Sequence, residues 1–181
     1  MNYSVCAFYD LRGLEKEMKT LLLLRHAKSS KKDPGLRDFD RPLNERGVTD
    51  AKLIGKFIRQ QKFQPDLIIS SPAERARQTA DLVLEAAGLK VELRCDERIY
   101  EASARRLFEV IAQTEDARNS VMLVGHNPGF DELFESLTGE ARHLPTAALA
   151  CIESASEKWS TVGAEPGSLK WFIAPKELRR D

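Results

Sequence analysis

The chain has 181 residues, 28 basic and 28 acidic side chains and a hydrophobic content of 42%, which suits one globular domain with a sizeable core. The balanced charge, with no long Lys/Arg run, speaks against nucleic acid as a partner. No apolar run approaches the length of a membrane span, which speaks against a membrane as well.

Residues 1–17 show no period and precede a second methionine, Met18. They are read as an N-terminal extension, with a single domain over 18–181 and Met18 as the candidate start. The N-terminus lacks a basic-then-apolar leader, so a cytoplasmic location is expected. Cys6, Cys95 and Cys151 are odd in number, scattered and without a C-x-x-C pair. They are read as reduced thiols, not as a disulfide framework or a zinc site.

From Met18 the pattern alternates between strand and helix. Thr20 to Leu24 is a continuous apolar run, as expected for a strand covered on both faces. Val48, Ala51, Ile54 and Ile58 recur at helical spacing behind Asn44, a candidate N-cap. Leu67 to Ile69 is a second strand, and a helix over Ala73–Ala87 is stopped by Gly88. A short strand at Val91–Leu93 and a helix over Ser103–Gln113 follow. Val121 to Val124 is a third buried strand, with a helix around Asp131–Leu137 behind it. Two more strands fit Ala147–Ile152 and Leu169–Ile173, and Trp159 and Trp171 are assigned to packing. This order predicts an α/β fold, a three-layer α/β/α sandwich with a mainly parallel central sheet. In such sheets the ligand lies beyond the carboxyl ends of the strands.

Three of the strands end in polar clusters: Arg25-His26-Ala27-Lys28, then Ser70-Ser71-Pro72 with Arg75 opening a helix, then Gly125-His126-Asn127. Parallel neighbours would bring two arginines and two histidines into one pocket. Arginine offers a planar fork that matches phosphate oxygens in pairs, and the helix start near Arg75 adds backbone donors and a favourable dipole. Arg25 follows a run of leucines, where a buried cation without an anionic partner is costly. A neutral His26 can attack phosphorus and carry the phosphoryl group, with the cations balancing transition-state charge. His26, His126 and His143 have no metal-ligand spacing, so no metal and no other cofactor is expected. His143 is read as structural and Arg77 as a surface charge. Arg41 and Lys28 are candidate substrate contacts. Glu101, after a strand and before a helix, is a candidate general acid or simply a solvated carboxylate at a helix start.

These residues resemble the histidine phosphatase superfamily, whose signatures are Arg-His-Gly after the first strand, Ser-Pro-x-x-Arg-x-x-Gln-Thr-Ala, and a late Gly-His. They stand here as Arg25-His26-Ala27, Ser71 to Ala80, and Gly125-His126. The resemblance implies a phosphoglycerate mutase-like fold, with His26 as nucleophile, Arg25 and Arg75 as phosphate clamp and His126 beside the phosphate. Ala27, the Asp38–Gly47 stretch and Leu144-Pro145-Thr146-Ala147 look most like the SixA-type phosphohistidine phosphatases. Only one loop and one helix separate His26 from Arg75, leaving little room for the lid of a mutase. The expected partner is therefore a phosphorylated protein or a small phosphorylated substrate. A small-molecule phosphomonoesterase and a non-catalytic phosphate-binding module stand as alternatives. A Ser-His-Asp hydrolase is disfavoured because Gly-x-Ser-x-Gly is missing.

Overall fold

The computed structural model describes residues 18–179; the N-terminal extension and Cys6 lie outside this range. Six strands form one sheet: β1 (Lys19–Arg25), β2 (Leu67–Ser70), β3 (Glu92–Cys95), β4 (Ser120–Gly125), β5 (Leu149–Ser154) and β6 (Ser168–Ile173). The helices are α1 (Glu45–Gln60), α2 (Glu74–Ala87), α3 (Ala104–Ile111), α4 (Gly129–Thr138) and the short α5 (Pro175–Leu178).

The strand order is β3-β2-β4-β1-β5-β6. The first four strands are parallel, whereas β5 runs antiparallel to β1 and to β6. The alternating leucines of β1 show why the sheet is covered twice. Leu22 and Leu24 face the apolar residues of α1 and α2, including Ile54, Ile58, Ala80 and Val83. Leu21 and Leu23 face the residues of α3 and α4, including Leu107, Ile111, Phe130 and Phe134. A strand buried on both faces has no polar side to alternate with, hence the continuous run. Trp159 is buried, with its indole N–H donating to the Arg118 carbonyl, and Trp171 meets Phe57 edge-on. Among the described residues, no helix is long and apolar enough to cross a membrane.

The parallel register aligns the three polar clusters. Arg25 pairs with Gly125, and Ser70 pairs with Val124. The same pairing continues past the strand ends, where His26 N–H donates to the Gly125 carbonyl at 3.0 Å and Ser71 N–H to the Val124 carbonyl at 2.9 Å. Adjacent strand ends therefore deliver both histidines and both arginines to one edge.

The segment between β1 and α1 crosses this edge as a loop with a 3-10 turn at Asp38–Asp40. Two side chains of the Ser71–Ala80 stretch anchor it. The Gln78 amide oxygen accepts from Leu43 N–H at 2.8 Å, and the Thr79 hydroxyl accepts from Ala27 N–H at 3.0 Å. The end of the loop rests on the chain after the nucleophile candidate. Lys28 carbonyl accepts from Asn44 N–H, and Asn44 caps α1 through Gly47 N–H. A Cβ at Gly47 would stand 2.2 Å from that carbonyl, so only glycine permits the approach. Gly47→Ala is expected to lower stability by about 2 kcal/mol, read as a fall in urea midpoint with an unchanged m-value.

Candidate active site

His26 is 8% exposed and His126 6%, with their ring centroids 5.0 Å apart. His26 Nδ1 lies 2.8 Å from the Ala27 carbonyl. A carbonyl can only accept, so Nδ1 carries the proton and Nε2 keeps its lone pair. Arg75 Nε donates to that Nε2 at 3.3 Å. Burial is the main cause that pushes the His26 pKa down to about 4, and the Arg75 and Arg25 cations push the same way against the Ala27 hydrogen bond and Asp38. His26 is therefore a neutral imidazole at neutral pH, with its free nitrogen turned toward a guanidinium.

His126 reaches across to Ser71, Nε2 to Oγ 2.8 Å, and its Nδ1 is buried without a partner. Burial first, then His26 and Arg75, lower its pKa to about 3. Arg25 donates through Nη1 to the Leu144 carbonyl at 2.6 Å, and its buried Nε has no partner. Burial also lowers the Arg25 pKa, opposed by Asp131. Two cations and two neutral imidazoles thus share a site in which several polar atoms lack a fixed partner. Such a group of donors fits an incoming anion.

An internal anion already meets part of this need. The Asp38 carboxylate pairs with Arg75 Nη2 at 2.8 Å, accepts from the Tyr100 hydroxyl at 3.1 Å and pairs with Arg41. Arg75 Nη1 donates to the Asp38 main-chain carbonyl at 2.6 Å. Burial would raise the Asp38 pKa, but Arg75, Tyr100 and Arg41 together hold it below the usual carboxylate value. Tyr100 completes this wall, edge-on to His126 at 5.5 Å and under the Arg75 guanidinium at 5.9 Å. A phosphate drawn to Arg75 would compete with Asp38 for it. Asp38→Asn is thus expected to tighten inorganic phosphate binding about tenfold, because it removes a like charge a few ångströms from the anion. Calorimetric titration with phosphate measures it; weaker binding would mean that Asp38 serves chiefly to hold Arg75.

The structure brings together Arg25, His26, Arg75 and His126, with Arg41 joined through Asp38. Glu101 and Lys28 are exposed, and neither makes a hydrogen bond to these residues. Glu101 has φ of 50° and lines, with Arg98, Tyr100, Ser103 and Arg106, a cleft of about 520 Å³ beside the site. No sequence pattern marks Asp38 or Tyr100 as site residues, Ser71 is marked only as part of a strand-end cluster, and His143 lies 3.5 Å from Arg25. Asp38 stood within a stretch that carried the family resemblance, and this was the one available signal for it. Among the described residues, no group of three or more His, Cys, Asp or Glu side chains is arranged to hold a metal.

The sequence profile of the histidine phosphatase superfamily (branch 1) matches residues 21–119, more than half of the chain. The chain belongs to the histidine phosphatase superfamily. An uncharacterized protein of Mycobacterium tuberculosis is 34% identical over 166 residues, covering 84% of this chain and all of its own length. A crystal structure from Agrobacterium tumefaciens, assigned as the phosphohistidine phosphatase SixA, is 36% identical with a TM-score of 0.74 and covers 87% of this chain and 98% of its own. The protein histidine phosphatase SixA complexed with tungstate shares the fold at a TM-score of 0.75 and 23% identity, covering 88% and 99% of the two chains. Family membership and the 36% identity to the Agrobacterium tumefaciens chain support a hydrolase of the phosphatase type.

Proposed function

We propose that the protein removes the phosphoryl group from phosphohistidine in a partner protein, through a covalent phosphoryl intermediate on His26. The observation that carries this reading is the His26 ring itself, with Nδ1 pinned by the Ala27 carbonyl and Nε2 facing Arg75. Nε2 attacks phosphorus, the N–P bond forms, and the bond to the leaving nitrogen breaks with its electron pair passing to that nitrogen. Water then attacks phospho-His26, returning the pair to Nε2 and releasing phosphate. Arg25 and Arg75 hold the equatorial oxygens, and the free Nδ1 of His126 is a further partner for one of them. Arg41 and Lys28 are assigned to the rim, where a protein substrate is met.

The choice of phosphohistidine draws on the Ala27 variant of the first motif, the short span between His26 and Arg75, and the 36% identity to the Agrobacterium tumefaciens chain. The cleft bearing Glu101 favours a second reading, a small phosphomonoester whose body sits in that cleft and whose leaving oxygen takes a proton from Glu101. Phosphate release with EDTA present, on a phosphohistidine-bearing protein and on p-nitrophenyl phosphate, separates the two. The proposed function expects EDTA-insensitive turnover with the phosphohistidine protein preferred. Phosphate binding with no release from either substrate would favour a binding module instead.

A further inference from the structure

In-line transfer from a buried nucleophile sets the direction of departure. His26 approaches phosphorus from inside the fold, so the leaving atom points out to the rim. A proton donor for that atom must stand at the mouth, whereas His126 is only 6% exposed. On the rim, the exposed His143 imidazole, 69% accessible, is held by Asp131, Nδ1 to Oδ2 at 2.7 Å. Asp131 is itself fixed, since its other oxygen accepts from Asn127 Nδ2 at 2.7 Å and Leu144 N–H at 2.8 Å. The ring is therefore oriented with Nε2 toward Arg25 Nη1, at 3.5 Å. The charged groups facing it are Arg25 from the end of β1 and Asp131 from α4. The neighbouring Arg142 turns away, its guanidinium lying over the Phe172 ring at 4.9 Å.

This is the geometry of a base and its orienter placed beside a phosphate arginine. We propose that His143, oriented by Asp131, is the proton donor to the leaving atom and then the base for the attacking water. Arg25 Nη1 donates to His143 Nε2 in this structure. The ring therefore enters the reaction as imidazolium only after phosphate draws Arg25 away and Nε2 takes a proton from solvent. As His26 Nε2 bonds to phosphorus, the P–O ester bond breaks and its electron pair takes that proton. The neutral His143 then takes a proton from the water that attacks phospho-His26, which restores the donor and frees phosphate. The role extends the reaction beyond phosphohistidine to phosphoesters, whose leaving oxygen needs that proton most.

The inference rests on His26 being the nucleophile, so His26→Ala is included in the test. The kcat/KM for phenyl phosphate, with its poor leaving group, is compared with that for p-nitrophenyl phosphate, with its good one, because kcat/KM reports formation of phospho-His26 and not its hydrolysis, which both substrates share. His143→Gln is expected to lose about 100-fold on phenyl phosphate and less than about threefold on p-nitrophenyl phosphate. In His143→Ala, added imidazole is expected to restore the phenyl phosphate rate. Asp131→Asn is expected to show the same selectivity in weaker form. A loss equal on both substrates, no loss at all, or a selective loss carried by Glu101→Gln instead would overturn the role of His143 while leaving the site standing. Undiminished turnover in His26→Ala would remove the nucleophile and the inference together.

Discussion

His26→Ala is expected to reduce phosphate release by a factor on the order of 10⁴ or more, as removal of a nucleophile does when the remaining groups cannot replace it. The variant should fold, because the ring contributes little to the core: its neighbours are Ala27, Arg75 and the tilted His126 ring. The main-chain bond from His26 N–H to Gly125 survives the change. Phosphate binding should persist, since Arg25 and Arg75 are untouched, and this separates lost chemistry from lost binding. In the wild type, quenching in base during turnover of a labelled substrate should trap label on His26 that is then released by acid. Label on another residue, or a variant with undiminished turnover, would remove His26 as nucleophile.

Much of this site could be read from the chain because each cluster directly follows a buried strand. Arg25-His26, Ser70-Ser71 with Arg75, and Gly125-His126 are each tied to an apolar run of the kind found in central strands, and parallel neighbours must align their ends. The Ser71–Ala80 stretch was readable as a motif, although the reasons for Gln78 and Thr79 come only from the fold. One holds the loop at Leu43 and the other holds Ala27. Asp38 could not be placed by pattern. It lies in a loop without periodicity, and its partners Arg75 and Tyr100 are 37 and 62 residues away. His143 is likewise marked by no pattern, with Asp131 12 residues and Arg25 118 residues distant. Strand direction was hidden too. An apolar run such as Leu149 to Ile152 looks the same in either sense, and the antiparallel β5 keeps the short path back along β1. The edge strand β3 gave the weakest signal, with Glu92 and Cys95 exposed and Arg94 paired to Glu92.

The two buried imidazoles carry a consequence for stability in mild acid. His26 and His126 have folded-state pKa values of about 4 and about 3, against 6.5 for the free side chain. Above pH 6.5 neither state binds the proton and the rings do not affect the balance. As pH falls below 6.5 the unfolded chain takes protons that the folded chain refuses, so ν_U exceeds ν_N and stability falls with pH. At one pKa unit for about 1.4 kcal/mol, each ring removes roughly 2 to 3 kcal/mol by pH ~4.5. Carboxylates held low by arginine, such as Asp38 and Asp96, add their own losses only below the unfolded value of 3.8. The window between 6.5 and about 4.5 is therefore governed at this site by the histidines. Urea unfolding across that window is expected to show a steep loss in the wild type and a shallower one in His26→Ala. Inorganic phosphate should flatten the wild-type slope, because an anion between Arg25 and Arg75 favours the imidazolium that burial opposes. A wild-type stability that stays level down to pH ~4.5 would show that the rings take up protons without cost in the folded state. The desolvation that keeps His26 neutral is the same force that makes the site fragile in acid.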